Sequence, residues 1–133
     1  MDIRKNAERQ WARQKYEVMA KSYRYYSGIR DRFREAKEEE DYLSILDELN
    51  ELEDLSYTKK GFINTAEHLW GYFKKSATEE EKSQFFQMLE DCSNLPEEFG
   101  KGEPAAENLL SYIRETLLPA YPQAYLSQSS ILK

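Results

Sequence analysis

Apolar residues recur along this chain every three or four positions, and nowhere do they alternate strictly with polar ones. That spacing places them on one side of an α-helix and argues against half-buried strands. Ile3, Ala7, Trp11, Val18 and Met19 predict a helix over residues 3–21, with Ala12, Tyr16, Ala20 and Tyr23 as a stripe beside them. Ser22 suits the N-cap of a following helix to residue 37. Gly28 weakens that helix by up to about 1 kcal/mol relative to Ala, so a break is expected near Ser27 and Gly28. Tyr42, Ile45, Leu46, Leu49 and Leu52 define an acidic helix over 38–56, and residues 56–60 read as a connection. Phe62, Ala66, Leu69, Trp70 and Phe73 form the core side of a central helix over 61–76.

Thr78 followed by Glu81 is a capping box, so the chain restarts there as a helix. Phe85, Met88, Leu89 and Cys92 are its apolar stripe. Residues 94–104 hold two Pro and two Gly and read as a loop. Pro104 suits the first turn of another helix, which buries Leu109, Leu110, Ile113 and Leu117. Pro119 and Pro122 end it, YPQAYL forms one more short turn, and the tail SQSSILK is expected to fray. These stripes predict an all-α fold, a single compact domain of about six helices over residues 1–133. Trp11, Leu46, Leu49, Phe62, Leu69, Phe73, Phe85, Leu89 and Ile113 are its expected core.

Composition narrows the class. With 133 residues and 33% of them charged, the chain suits one soluble domain with a heavily charged exterior. No apolar run approaches the roughly 20 residues of a membrane span. The N-terminus has no apolar core of a secretory signal, and Cys92 is the sole cysteine. A cytoplasmic, bacterial protein without membrane attachment is the expectation. Neither cofactor nor metal is expected, because the acids of 38–56 have no histidine beside them and one histidine cannot serve a di-iron bundle.

Net charge is −6, but it is segregated. Residues 1–37 carry eleven Lys/Arg and five Asp/Glu, whereas residues 38–56 carry nine acids and no base. Residues 57–77 are basic again, with four Lys against Glu67. Local field rather than net charge decides which polyanion approaches. Tyr23, Tyr25, Tyr26 and Phe33 are interleaved with Arg24, Arg30, Arg32 and Arg34. Phosphates can take such charges while bases stack on such rings. The alternative is that some of these tyrosines pack in the core with the hydroxyl at its rim. On the central helix, Gly61, Asn64, His68, Gly71 and Lys75 share a stripe without large aliphatic residues, with Tyr72 beside it. A glycine there lets another backbone or a ligand approach. His68 alone also fits a structural role, hydrogen-bonding between helices.

Three blocks of sequence resemble the YbgA-like family, a bacterial and archaeal domain of unknown function. They are WARQKYEVMAKS (residues 11–22), NTAEHLWGYFKKSATEEEKSQFFQMLED (64–91) and LLPAYPQAYLSQS (117–129). The segment 93–104 departs from the family pattern, which has Tyr-Arg-x-Gly and then an apolar, proline-containing run. The resemblance implies no reaction for the domain itself. In some bacteria a similar domain is fused to a TudS-like desulfidase domain that binds an iron–sulfur cluster and acts on thiolated uracil. There the fused domain has been suggested to hold tRNA. With Cys92 as its sole cysteine, this chain is expected to lack the cluster-bearing half.

The leading expectation is a non-catalytic domain that binds RNA, tRNA among the candidates. Arg13, Lys15, Arg24, Lys74 and Lys75 would meet phosphates, and Tyr16, Asn64, His68 and Tyr72 a base or sugar edge. The alternative is a protein–protein module acting with a partner enzyme of the desulfidase type, through the acidic helix or exposed tyrosines. A third reading is an enzyme with His68 as general acid or base beside Lys15 or Lys75. No nucleophile–base pair, phosphate loop or nucleotide fingerprint supports it.

Overall fold

The computed structural model describes residues 2–133. Six helices of nine residues or more dominate it: α1 (Ile3–Lys21), α2 (Tyr23–Glu35), α3 (Glu39–Leu52), α4 (Lys59–Trp70), α5 (Glu79–Asp91) and α6 (Pro104–Tyr112). A π-helical turn, Ile113–Leu117, continues α6 into the short α7 (Leu118–Ala120). One further turn, α8 (Ala124–Ser127), follows, and Ser130–Leu132 closes the chain as a 3₁₀ turn. The fold is all-α, as the periodicity predicts.

Side-chain caps set the boundaries. Asp2 accepts from the Lys5 N–H at the start of α1. Ser22 serves two helices: its N–H bonds the Val18 carbonyl, and its hydroxyl accepts from the Arg24 N–H. One extended residue therefore turns the chain between α1 and α2. At α5 the capping box is complete, with the Thr78 and Glu81 side chains bonded to each other's backbone N–H. Each such cap satisfies donors that a helix start leaves without a partner.

Two apolar clusters form the core. The larger unites Met19 and Ala20 of α1 with Phe62, Leu69 and Trp70 of α4, Phe85 of α5 and Leu109 and Ile113 beyond. The smaller holds Ala7 and Val18 of α1, Ile29 of α2, and Tyr42, Ile45, Leu49 and Leu52 of α3. α1 contributes to both.

Several expectations need correction. The central helix ends at Trp70 rather than residue 76, and turns carry residues 71–76. Lys75 thus lies beyond the helix that carries Asn64 and His68, although Phe73 is still fully buried. α2 runs unbroken through Gly28. The segments read as a connection and a loop contain a short antiparallel pair, β1 (Tyr57–Thr58) with β2 (Glu98–Phe99). Two residues per strand are too few to show alternation. Trp11, Leu46 and Leu89 are only partly buried. The tail does not fray: Ile131 and Leu132 are buried, and the Ser130 hydroxyl donates to the Arg13 carbonyl at 3.0 Å.

Candidate nucleic-acid interface

The turn at Ser22 and the start of α4 are tied together. Thr58 donates to the Lys21 carbonyl at 3.1 Å and accepts from the Gly61 N–H at 3.0 Å, so it caps α4 while fastening it to the end of α1. This places the first residues of α2 beside the first turns of α4. An open cleft of about 600 Å³ lies between them. Tyr23 and Arg24 line one side, and Lys59, Lys60, Ile63, Asn64 and Glu67 the other, with Glu97 at the edge. Lys59 is already engaged by Glu97 at 3.5 Å and by the Ser93 carbonyl at 3.2 Å.

A second arrangement brings together residues far apart in the chain. The Tyr16 and Tyr72 hydroxyls share a hydrogen bond of 2.8 Å, with their rings edge to face. Gln123 donates to the Tyr72 carbonyl at 3.3 Å. The Lys15 ammonium lies 4.9 Å from the centre of the Tyr125 ring and 5.5 Å from that of Tyr16. Cation–π attraction holds such an ammonium without neutralising it. Burial pushes the Tyr16 hydroxyl's pKa far up, and the bond to Tyr72 adds to the shift.

The sequence-predicted residues therefore fall into three places. Arg24 and Asn64 meet in the cleft. Lys15, Tyr16 and Tyr72 meet in the tyrosine cluster, but Tyr16 is 6% exposed and cannot face a base. Its ring is the support on which Lys15 and Tyr72 rest. Arg13, His68, Lys74 and Lys75 are exposed. His68 makes no side-chain hydrogen bond among the described residues, so it does not bridge helices. Tyr125, Lys60 and Ile63 were not singled out by sequence reasoning. Tyr125 lies in the closing block of the resemblance, which was the available signal.

Ion pairing separates the basic residues into two sets. Arg4 pairs with Glu8, Arg30 and Arg34 with Asp31, and Arg32 with Glu48 of α3. Much of the basic charge of α2 is thus neutralised inside the molecule. By contrast Arg13, Lys15, Arg24, Lys60, Lys74 and Lys75 make no ion pair among the described residues, nor do Lys5 and Arg9. Tyr23 and Tyr25, 45% and 40% exposed, flank Arg24 in the chain. Unpaired cations beside open rings can hold phosphate and stack a base.

Other chemistry finds less footing. No group of three or more His, Cys, Asp or Glu fit to hold a metal occurs among the described residues. The Cys92 thiol is buried, donates to the Ala105 carbonyl at 3.6 Å, and is pushed up to about 11 by burial. A thiol so held is not a nucleophile at neutral pH. None of the described helices is long and apolar enough to cross a membrane.

Residues 15–133 match the model of a family described as "Protein of unknown function (DUF1722)". No curated protein and no solved structure matches.

Proposed function

Since this chain belongs to the DUF1722 family, the YbgA-like family of unknown function, we propose its role from its own surface: a non-catalytic helical domain that binds RNA, tRNA included. The observation that carries this reading is the division of basic residues. Those left without a carboxylate partner among the described residues include Arg13, Lys15, Arg24, Lys60, Lys74 and Lys75, and open tyrosines stand beside Arg24. An unpaired surface cation that meets phosphate releases counterions, a gain that a salt-bridged one has to trade against its carboxylate.

The test is a titration of labelled tRNA at several salt concentrations. Affinity falls steeply with salt in the wild type. Replacing Lys15, Lys74 and Lys75 together by Ala weakens binding and flattens the log–log salt slope by about two to three units. His68→Ala lowers affinity by about 1–3 kcal/mol with little change of slope if its ring stacks on a base. Wild-type protein that binds no RNA at low salt ends this reading.

A second reading is a module that docks on a protein, such as a desulfidase-type enzyme. Leu43 and Leu55, 43% and 42% exposed among the acids of α3 and the turn after it, favour it. Loss of partner capture by Leu43→Lys with Leu55→Lys, against unchanged RNA affinity, separates the two.

A further inference from the structure

We propose that the cleft between the start of α2 and the first turns of α4 takes a single unpaired nucleotide, so that the RNA it recognises is single-stranded at that point. The inference rests on the RNA reading above and adds the class of RNA. A volume of about 600 Å³ lies within the range of small-ligand pockets. The Tyr23 ring and the Ile63 side chain supply apolar walls, which suit the face of a base. Arg24 and Lys60, both without an ion pair among the described residues, supply positive charge at the rim.

The polar groups divide the nucleotide between them. Two amides at the start of α4 are already used: the Lys59 N–H bonds the Glu97 carbonyl, and the Gly61 N–H bonds Thr58. Phosphate therefore goes chiefly to the charged Arg24 and Lys60 side chains. Glu67 lines the same cleft and repels phosphate, while its carboxylate accepts from an exocyclic amino group. Asn64 is half-buried, and its amide makes no hydrogen bond among the described residues. An amide offers a donor beside an acceptor, the pattern of a base's pairing edge. That edge and the base's flat face are occupied within a duplex. Paired RNA can thus offer this cleft phosphates but no base.

The experiment compares a short unstructured RNA with the same RNA annealed to its complement, both titrated at low salt. Wild type binds the single strand about tenfold more tightly, in line with one stacked base. Asn64→Ala and Tyr23→Ala, each checked for an unchanged helical spectrum, abolish that preference and leave duplex affinity as it was. Equal binding of single strand and duplex by wild type overturns the inference and leaves RNA binding standing. A preference that survives both substitutions overturns it too, because discrimination then arises elsewhere. Binding of neither RNA removes this inference together with the function on which it rests.

Discussion

The carbonyl oxygen of Ala20 occupies the place where a side chain on Gly61 would begin: a Cβ there would lie 2.5 Å from it. α1 and α4 approach backbone to backbone at this point, and Thr58 stitches them on the same spot. The cleft depends on that closeness, since its two sides are the chain just after α1 and the first turns of α4. Gly61 is therefore read as a contact between helices, not as an opening for a ligand.

Gly61→Ala and Gly28→Ala should shift stability in opposite directions. At Gly61 the obstacles are the Ala20 carbonyl and the Thr58 hydroxyl, and backbone cannot rotate aside. Helix separation then costs about 1–3 kcal/mol, as overpacking does. Gly28 lies inside α2 with no other group within 4 Å of the added Cβ. Alanine there gains about 0.5–1 kcal/mol of helix propensity. Urea denaturation midpoints of the two variants should fall on either side of wild type.

Trp70→Ala should cost about 3–5 kcal/mol. The indole is 7% exposed, stacks on Phe85 at 4.7 Å and meets the edge of Phe86 at 5.6 Å. Overlapping urea curves for variant and wild type would contradict this packing.

Glu81 makes the α5 start sensitive to acid. Its carboxylate accepts from the Thr78 N–H at 2.8 Å and the Tyr121 hydroxyl at 2.6 Å, and the backbone bond is the main reason its pKa lies below the usual 4.5. A lowered folded pKa stabilises the native state above 4.5, and the gain disappears as pH falls through the folded value. Glu81→Ala should lower the melting temperature at neutral pH. It should also lose less than wild type on acidification below 4.5, which melting curves across that range will show.

Lys21 shifts in the same direction as Glu81 but for the opposite reason, because its charged form is penalised rather than favoured. It is 6% exposed, and its ammonium donates to the Leu52 and Glu53 carbonyls at 2.7 and 3.1 Å, closing the C-terminal end of α3. Burial lowers its pKa from 10.5, despite Glu17 and Glu53 nearby. Between the lowered value and 10.5 the unfolded chain holds more protons than the native one, so stability from this group rises with pH. The stability of wild type relative to Lys21→Met should therefore climb across that window. Subtracting the variant removes the tyrosines that titrate in the same range. A flat difference would mean that the ammonium is not desolvated.

Helix positions were legible wherever a stripe and a cap coincided. Ser22, Thr78 and Pro104 each mark an observed start, because caps are local chemistry. The end of α4 was not legible, since Tyr72 and Phe73 continue the helical pattern while their chain has already turned. The buried tail was missed because its partner, Arg13, lies 117 residues away. For the candidate interface, residue type located Arg24 and Asn64, but burial decided Tyr16. Whether an arginine is free or bound depends on another helix. Arg32 and Arg24 read alike in the chain, and only the fold sets Glu48 beside the first.

α1 belongs to two clusters of the core, and this has a mechanical consequence. α2 and α3 form a leaf held to α1 by the smaller cluster, and Ile29 is the one fully buried apolar residue that α2 contributes. The rest of the chain forms a body around α4, joined to the leaf chiefly along α1 and by Tyr26, which packs on both clusters. Such a leaf can open without melting the body, so the amides of α2 exchange with solvent sooner than those of α4. The cleft spans that seam, with Tyr23 and Arg24 on the leaf and Ile63 and Asn64 on the body. Whatever occupies it acts as a clasp, slowing amide exchange in a helix most of whose residues it never touches.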